Sequence, residues 1–338
     1  MNQQLYKHRM NIIKAIRNFF DSRDYLETQV PILSSMVIPE STIPLFSTTL
    51  EPAPWDQATE ARELYLLPSP EYYMKQLLAQ GWGNMYSLGP CFRNRESFSS
   101  QHNPEFTMLE YYTIQANYLD TLELTRELLA NIPLNPRIPE ARILHKPVRT
   151  LTMEQAFQEL AGLSLEPAAA PPDTPEGNKW ALEEIRSLAA SKGIEFTDDE
   201  PWEDTFHRLF LTLVEPNLPF DQPLALLDYP WRVRTTACRK NSSPWAERWE
   251  LYVQGLEIAN VYTEEQDPLL CSLFLEEETR AMEAQGLRVK PDSRYPDIAA
   301  NLPPCSGAAL GVDRLVMVAA GARTIQEARL FCLRNLRA

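Results

Sequence analysis

No stretch of this chain is apolar for long enough to cross a bilayer. The most apolar late run, LVMVAAGA, follows Asp313 and Arg314 directly and falls well short of the roughly 20 residues a spanning helix needs. The N-terminus, MNQQLYKHRM, has no apolar run behind its basic residues, which argues against a signal peptide. Cysteine is sparse and unpatterned: Cys91, Cys238, Cys271, Cys305 and Cys332 form no CxxC pair and are odd in number. That excludes a disulfide framework or a Cys/His zinc site as the first expectation and fits reduced thiols in a cytoplasmic protein. Positive charge is in deficit, with 32 Lys and Arg against 46 Asp and Glu and a net charge of −14. Such a balance weakly opposes a nucleic-acid backbone as the main partner, although a local basic groove remains compatible with it. There is no GxxxxGK[ST] phosphate loop, internal repeat or low-complexity tract. What is present is ordinary for a globular protein: 338 residues, 44% hydrophobic and 23% charged, enough for one large domain or two smaller ones.

Residues 5–20 place Ile12, Ile13, Ile16, Phe19 and Phe20 at helical spacing. YLETQVPIL reads as a short strand stopped by Pro31, and PSPEYYMKQLLAQG as a helix with a proline start and a glycine stop. NMYSLGPCF and EFTMLEYY read as strands flanking a polar loop. Eight prolines lie between Pro133 and Pro175, with two short amphipathic helices in TMEQAFQELAG and KWALEEIRSLAASKG. Residues 133–205 are therefore expected to be an insertion beside the main domain, with no chemistry of its own visible. Apolar strands (PLALLDYP, RWELYVQG, LEIANVY), a charged helix near 268–285 and a glycine-spaced turn entering an apolar helix, CSGAALGVDRLVMVAAG, complete the chain.

Three constellations carry candidate chemistry. In EFTMLEYY, alternation puts Phe106, Met108, Glu110 and Tyr112 on one face and Thr107, Leu109 and Tyr111 on the other. An acid between aromatics is costly in a plain core unless it is paired, so this is a pocket wall or an exposed sheet face. In ERWELYVQGLEIANVYTEEQDP, a Gln254-Gly255 hairpin turn lands Glu250 and Glu257 on the same face of adjacent strands, where they could share a magnesium ion or form a solvated strand pair. A regular ladder separates Glu257 from Asn260, so a common pocket requires a bulge between 257 and 260. In GAALGVDR, small residues permit close backbone approach and Arg314 offers a fixed fork to a phosphate, though packing explains such a segment equally.

Together, and in order, these segments resemble the catalytic domain of class II aminoacyl-tRNA synthetases, specifically the lysyl branch. Motif 1 appears as YLETQVPIL, motif 2 as FRNRE…HNPEFTMLEYY and motif 3 as GAALGVDR, across residues 5 to about 330. The resemblance implies an α+β fold: an antiparallel sheet flanked by helices, with motif 1 at a two-fold dimer interface. It implies an ATP-dependent ligase that forms an aminoacyl-adenylate. Arg93 and Arg314 become the catalytic arginines. ATP binding falls to Arg93, Glu96, His102, Asn103, Phe106, Glu250, Gly311 and Arg314, and Mg2+ to Glu250 and Glu257. A diamino acid is read by Glu71, Glu110, Tyr112, Asn260, Tyr262, Glu264 and Ala309.

Motif 1 begins too near Met1 for the anticodon-binding barrel of tRNA-charging lysyl enzymes. That architecture, and Ala309 at the middle glycine of motif 3, resemble the branch that modifies elongation factor P, which implies lysine or β-lysine as donor, that protein as acceptor and no tRNA or membrane partner. A truncated synthetase that charges an RNA and a non-catalytic regulatory paralogue are the alternatives. In FRNRE one extra residue leaves either Arg95 or Glu96 for the role of the family's loop acid. Arg232, Arg234 and Arg239 are additional basic residues, expected on a solvated face or against the acceptor.

Overall fold

The computed structural model describes residues 3–56, 60–96, 99–241, 243–287 and 289–332. The strands are β1 (Leu26–Glu27), β2 (Leu33–Ser34), β3 (Phe46–Leu50), β4 (Arg62–Leu66), β5 (Met85–Phe92), β6 (Glu105–Ile114), β7 (Arg149–Thr152), β8 (Leu224–Leu227), β9 (Arg248–Val253), β10 (Leu256–Thr263) and β11 (Cys305–Gly311). Eight of them form one sheet in the order β1-β5-β6-β11-β10-β9-β8-β7, and β2-β4-β3 form a smaller one. Every neighbouring pair from β5 to β8 is antiparallel; only the edge pairs β1/β5 and β7/β8 are parallel. This is the α+β, largely antiparallel architecture that the motif order implied.

Helices cover one face of the large sheet. The first, Gln3–Asp21, buries Ile12, Ile16, Phe19 and Phe20, and Phe20 stacks on Tyr86 with ring centroids 5.0 Å apart. With the apolar helix Val312–Ala320 it covers Leu109, Tyr111, Trp249, Leu251 and Leu310. Burying each such large side chain contributes about 1.5–3 kcal/mol. A second apolar cluster, centred on Phe157, Phe206 and Leu209, packs the helical segment after β7 against Leu224, Leu226 and Tyr252 at the far end of the sheet.

Two local expectations change. YLETQVPIL is not one strand: β1 and β2 belong to different sheets, and Pro31 between them has no N–H to carry a ladder onward. CSGAALG is not a turn but the central strand β11, paired on both sides, and the helix begins only at Val312. Its small residues serve a crowded position: a Cβ on Gly307 would stand 2.5 Å from the Tyr112 ring and 2.8 Å from Glu264 Oε1. No described helix is long and apolar enough to cross a membrane.

Candidate active site

Because β6 alternates as its sequence requires, Leu109 and Tyr111 enter the core while Phe106, Met108, Glu110 and Tyr112 face a cavity of 620 Å³. Every candidate site residue named from sequence lines this one cavity: Glu71, Arg93, Glu96, His102, Asn103, Phe106, Glu110, Tyr112, Glu250, Glu257, Asn260, Tyr262, Glu264, Ala309, Gly311 and Arg314. The turn at Gln254-Gly255 has φ of 53° and 72°. The β9–β10 register shifts between Glu257 and Ala259, the bulge needed to bring Glu257 and Asn260 into a common pocket.

The cavity has two chemically distinct ends. At one, Arg93 stands over Phe106 with its guanidinium carbon 5.1 Å from the ring centroid. Its Nε is buried and has no hydrogen-bond partner among the described residues. Nearby, Arg314 is fixed rather than free: it donates to the Glu257 carbonyl at 2.7 Å and to His102 Nε2 at 2.8 Å. Burial, and then the Arg314 charge, hold His102 below its ordinary pKa, so Nε2 accepts from Arg314 and Nδ1 is left to donate to Ser99 Oγ at 2.8 Å. Glu96 lies 4.0 Å from the His102 ring. The extra residue of FRNRE is accommodated at Arg95, which takes a left-handed conformation (φ 54°) and points to solvent. Glu96 therefore keeps the place facing the cavity.

Glu250 and Glu257 lie on the same face of β9 and β10. Glu250 accepts from Arg248 (2.7 Å), Tyr229 (2.5 Å) and Tyr252 (2.8 Å). Glu257 is less engaged, 3.8 Å from Arg314. Burial, and then the charge of Glu250, push its carboxyl up to about 7. Burial and a neighbouring negative charge that disfavour the ionised form of Glu257 suit a cation there, and a donor set of carboxylate oxygens suits Mg2+. Among the described residues no three metal-ligating side chains converge, so phosphate and water oxygens must complete any such ion's shell.

The other end is acidic. Glu110 is buried and accepts from Ser69 at 2.6 Å and Tyr112 at 3.2 Å; burial, and then the charge of Glu71, push its carboxyl up to about 8. Ala309 lies opposite both Glu110 on β6 and Asn260 on β10, so its methyl forms the floor between them. Glu264 is raised to about 7, chiefly by burial, and its Oε1 has no hydrogen-bond partner among the described residues.

Sequence reasoning missed Lys75. Fully buried, it sits 2.5 Å from Glu71 and 2.6 Å from Glu264 and donates to Tyr295 at 3.0 Å. Burial opposes its charge, but Glu264 and Glu71 hold its pKa well above the ordinary value. Also missed were Ser69, Arg248, Glu40, and Glu203 and His207 of the helical segment, which all line the cavity. Arg232, Arg234 and Arg239 prove to be internal ties and not a free basic face. Arg234 pairs with Glu203 and Glu278 at 2.8 Å each, Arg232 bonds Asn178 and the Pro171 carbonyl, and Arg239 bonds the Ser243 carbonyl.

A sheet of this topology, with one arginine-lined and one carboxylate-lined end in a single cavity, defines a class II synthetase catalytic unit. The family model for class II tRNA synthetases (D, K and N) matches residues 1–335, and the chain belongs to that family as an ATP-dependent ligase. Among its relatives, the elongation factor P--(R)-beta-lysine ligase of Hamiltonella defensa subsp. Acyrthosiphon pisum (strain 5AT) is 35% identical over 330 residues, 96% of this chain and 93% of that protein. The ligases of the same name from Pasteurella multocida (strain Pm70) and Proteus mirabilis (strain HI4320) are 33% and 34% identical, over 97% and 95% of this chain and 94% and 92% of theirs.

Proposed function

We propose that this chain activates (R)-β-lysine or lysine with ATP and transfers the acyl group to a lysine side chain of elongation factor P. The observation that carries the reading is the cavity's division into an arginine end for carboxylate and phosphate and an acidic end for ammonium groups. Residue roles follow from that division. Arg93, with unpartnered donor capacity, holds the donor carboxylate and the α-phosphate together; a carboxylate oxygen attacks phosphorus and pyrophosphate leaves. Arg314, Glu96, His102, Asn103, Phe106 and Gly311 surround the nucleotide. Glu250 and Glu257 would hold Mg2+, which supplies neutralisation of phosphate charge when bound. In the second step the acceptor amine, having lost a proton, attacks the acyl carbon, and AMP leaves with the electron pair of the broken carbon–oxygen bond. The relatives' names and the acidic end of the cavity support a diamino donor, because a neutral side chain leaves Glu110 buried with no cation paired to it among the described residues.

Residues 133–205 are proposed to act as an insertion that closes one wall through Glu203. Two copies are proposed to associate through motif 1, where Leu26, Ile32 and Leu33 are exposed; mass in solution checks this.

Incubating the protein with ATP, each lysine isomer and elongation factor P, and reading the intact mass of the acceptor, tests the central reading. One lysyl increment on elongation factor P supports it. An unmodified acceptor together with an acid-labile ester on tRNA would favour the RNA-charging alternative.

Donor binding should also be pH-dependent. The carboxyls of Glu110 and Glu264 are raised to about 8 and about 7, so they hold protons near neutrality. A diammonium ligand favours their ionised forms and expels those protons. Affinity is therefore expected to climb from about pH 6 to about pH 8, with release of about one proton per donor near pH 7. Calorimetry in two buffers of different ionisation enthalpy measures it; identical heats in both would contradict the assignment.

A further inference from the structure

Glu40 was not singled out by any motif, yet its loop forms part of the cavity wall: Ile38, Glu40, Ser41, Thr42 and Ile43 all line it. The loop is held at both ends. Ser41 N donates to the Glu278 carboxylate on the helix Pro268–Ala284. Asn94, next to Arg93, donates from its backbone to the Pro44 carbonyl at 2.8 Å and from its side chain to the Leu45 carbonyl at 3.2 Å. A backbone bond from Ile43 N to the Glu40 carbonyl, 3.0 Å, tightens the turn between these anchors. Glu40 is thereby held in the wall of the cavity that also contains Arg93, which the proposed function assigns to the donor carboxylate.

Glu71 lines the same cavity, and its Oε1 is already taken by Lys75 at 2.5 Å and Tyr262 at 3.0 Å. Only one Glu71 oxygen is left for a ligand, whereas an ammonium group brings three donors. The charges that act on Glu40 match this placement: burial, and then Glu71, push its carboxyl up to about 7, while Arg93 opposes the rise.

We propose that Glu40 is a donor-selecting residue: together with Glu71 it holds the ammonium group nearest the substrate carboxylate and favours one displaced to the β-carbon. In an α-amino acid that ammonium stands on the carbon that carries the carboxylate, close to the Arg93 guanidinium. Moving it by one carbon, about 1.5 Å, separates it from the substrate carboxylate and so from the guanidinium that holds that carboxylate, which leaves the two carboxylates as its partners. The inference rests on the functional reading above and adds to it the residue that separates β- from α-donors.

The test is ATP–pyrophosphate exchange with (R)-β-lysine and with lysine, comparing the native protein with Glu40→Gln. The substitution keeps the shape and removes the charge. A lost charge-assisted contact is expected to lower kcat/KM for β-lysine about 10- to 100-fold, with a smaller fall for lysine, so that the ratio of the two drops at least about tenfold. A purely structural role lowers both donors alike and leaves the ratio unchanged; that result, or no effect on either donor, overturns the inference. If Glu40→Gln does not fold, Glu40→Asp carries the test, since it keeps the charge and shortens the reach. A ratio reduced there supports donor selection, and an unchanged ratio overturns it. Exchange by the native protein with neither donor would instead defeat the functional reading itself.

Discussion

Replacing Arg93 with lysine is expected to lower ATP–pyrophosphate exchange by about 10²- to 10³-fold while leaving thermal stability nearly unchanged. Lysine keeps the positive charge that Glu40 and Glu257 experience from position 93, so the electrostatics of the cavity change little. What it lacks is the planar fork: five donors in a fixed array hold a carboxylate and a phosphate in one orientation, and a single ammonium on a flexible stem does not. The structure makes this arginine the one to test, because its Nε is buried without a partner among the described residues. Arg314, by contrast, has donors already committed to Glu257 and His102. The backbone of Arg93 is anchored independently of the side chain, through its N–H to the Pro104 carbonyl at 2.9 Å, so the loop has no reason to collapse. Exchange measured at saturating ATP, alongside a melting curve, distinguishes the outcomes. Activity within tenfold of native would remove Arg93 from the reacting centre.

The parts of this site that could be read from sequence were those governed by local period. The two faces of β6 and the Gln254-Gly255 turn follow from alternation and turn chemistry, and a bulge before Asn260 is the condition for Glu257 and Asn260 to share a pocket; the structure has all three. The motif resemblance then joined segments that local period cannot join. What stayed hidden depends on tertiary placement. Lys75 is four residues after Glu71 on a helix, the spacing of an ordinary solvated ion pair. Only Glu264, arriving after β10, and Tyr295 turn it into a buried charge. Glu40 sits in a loop without periodicity, so nothing local aims it at the cavity. CSGAALG looked like a turn because Gly and Ala are weak strand formers; pairing with β6 and β10 on both sides overrides that preference, and Tyr112 across the ladder demands Gly307. The helix Tyr118–Asn131 escaped notice although its start carries a capping box, Asn117 with Asp120.

Lys75 gives the largest expected effect on stability. Lys75→Met fits a fully buried site by size, yet it strips Glu71 and Glu264 of their common cation. Breaking one member of a buried ion pair costs about 3–5 kcal/mol, and here the cost should depend on pH in a defined direction. Glu264 already has a folded-state pKa raised to about 7 from 4.5. A raised carboxylate binds its proton more tightly when folded, so it imposes no penalty below the unfolded value, one that grows between the unfolded and the folded value, and a constant one above. Removing Lys75 takes away the main influence that lowers this pKa, which moves the upper end of the window to higher pH and deepens the penalty there. Urea unfolding should therefore show a loss of about 3–5 kcal/mol at pH 8 and a clearly smaller one at pH 5.5. Lys75→Met combined with Glu264→Gln should recover much of the stability at pH 8, because the second change removes the charge left without its partner. Equal destabilisation at both pH values, or no recovery in the double variant, would mean that Lys75 acts through packing alone and that the acidic end of the cavity does not depend on it for its charge balance.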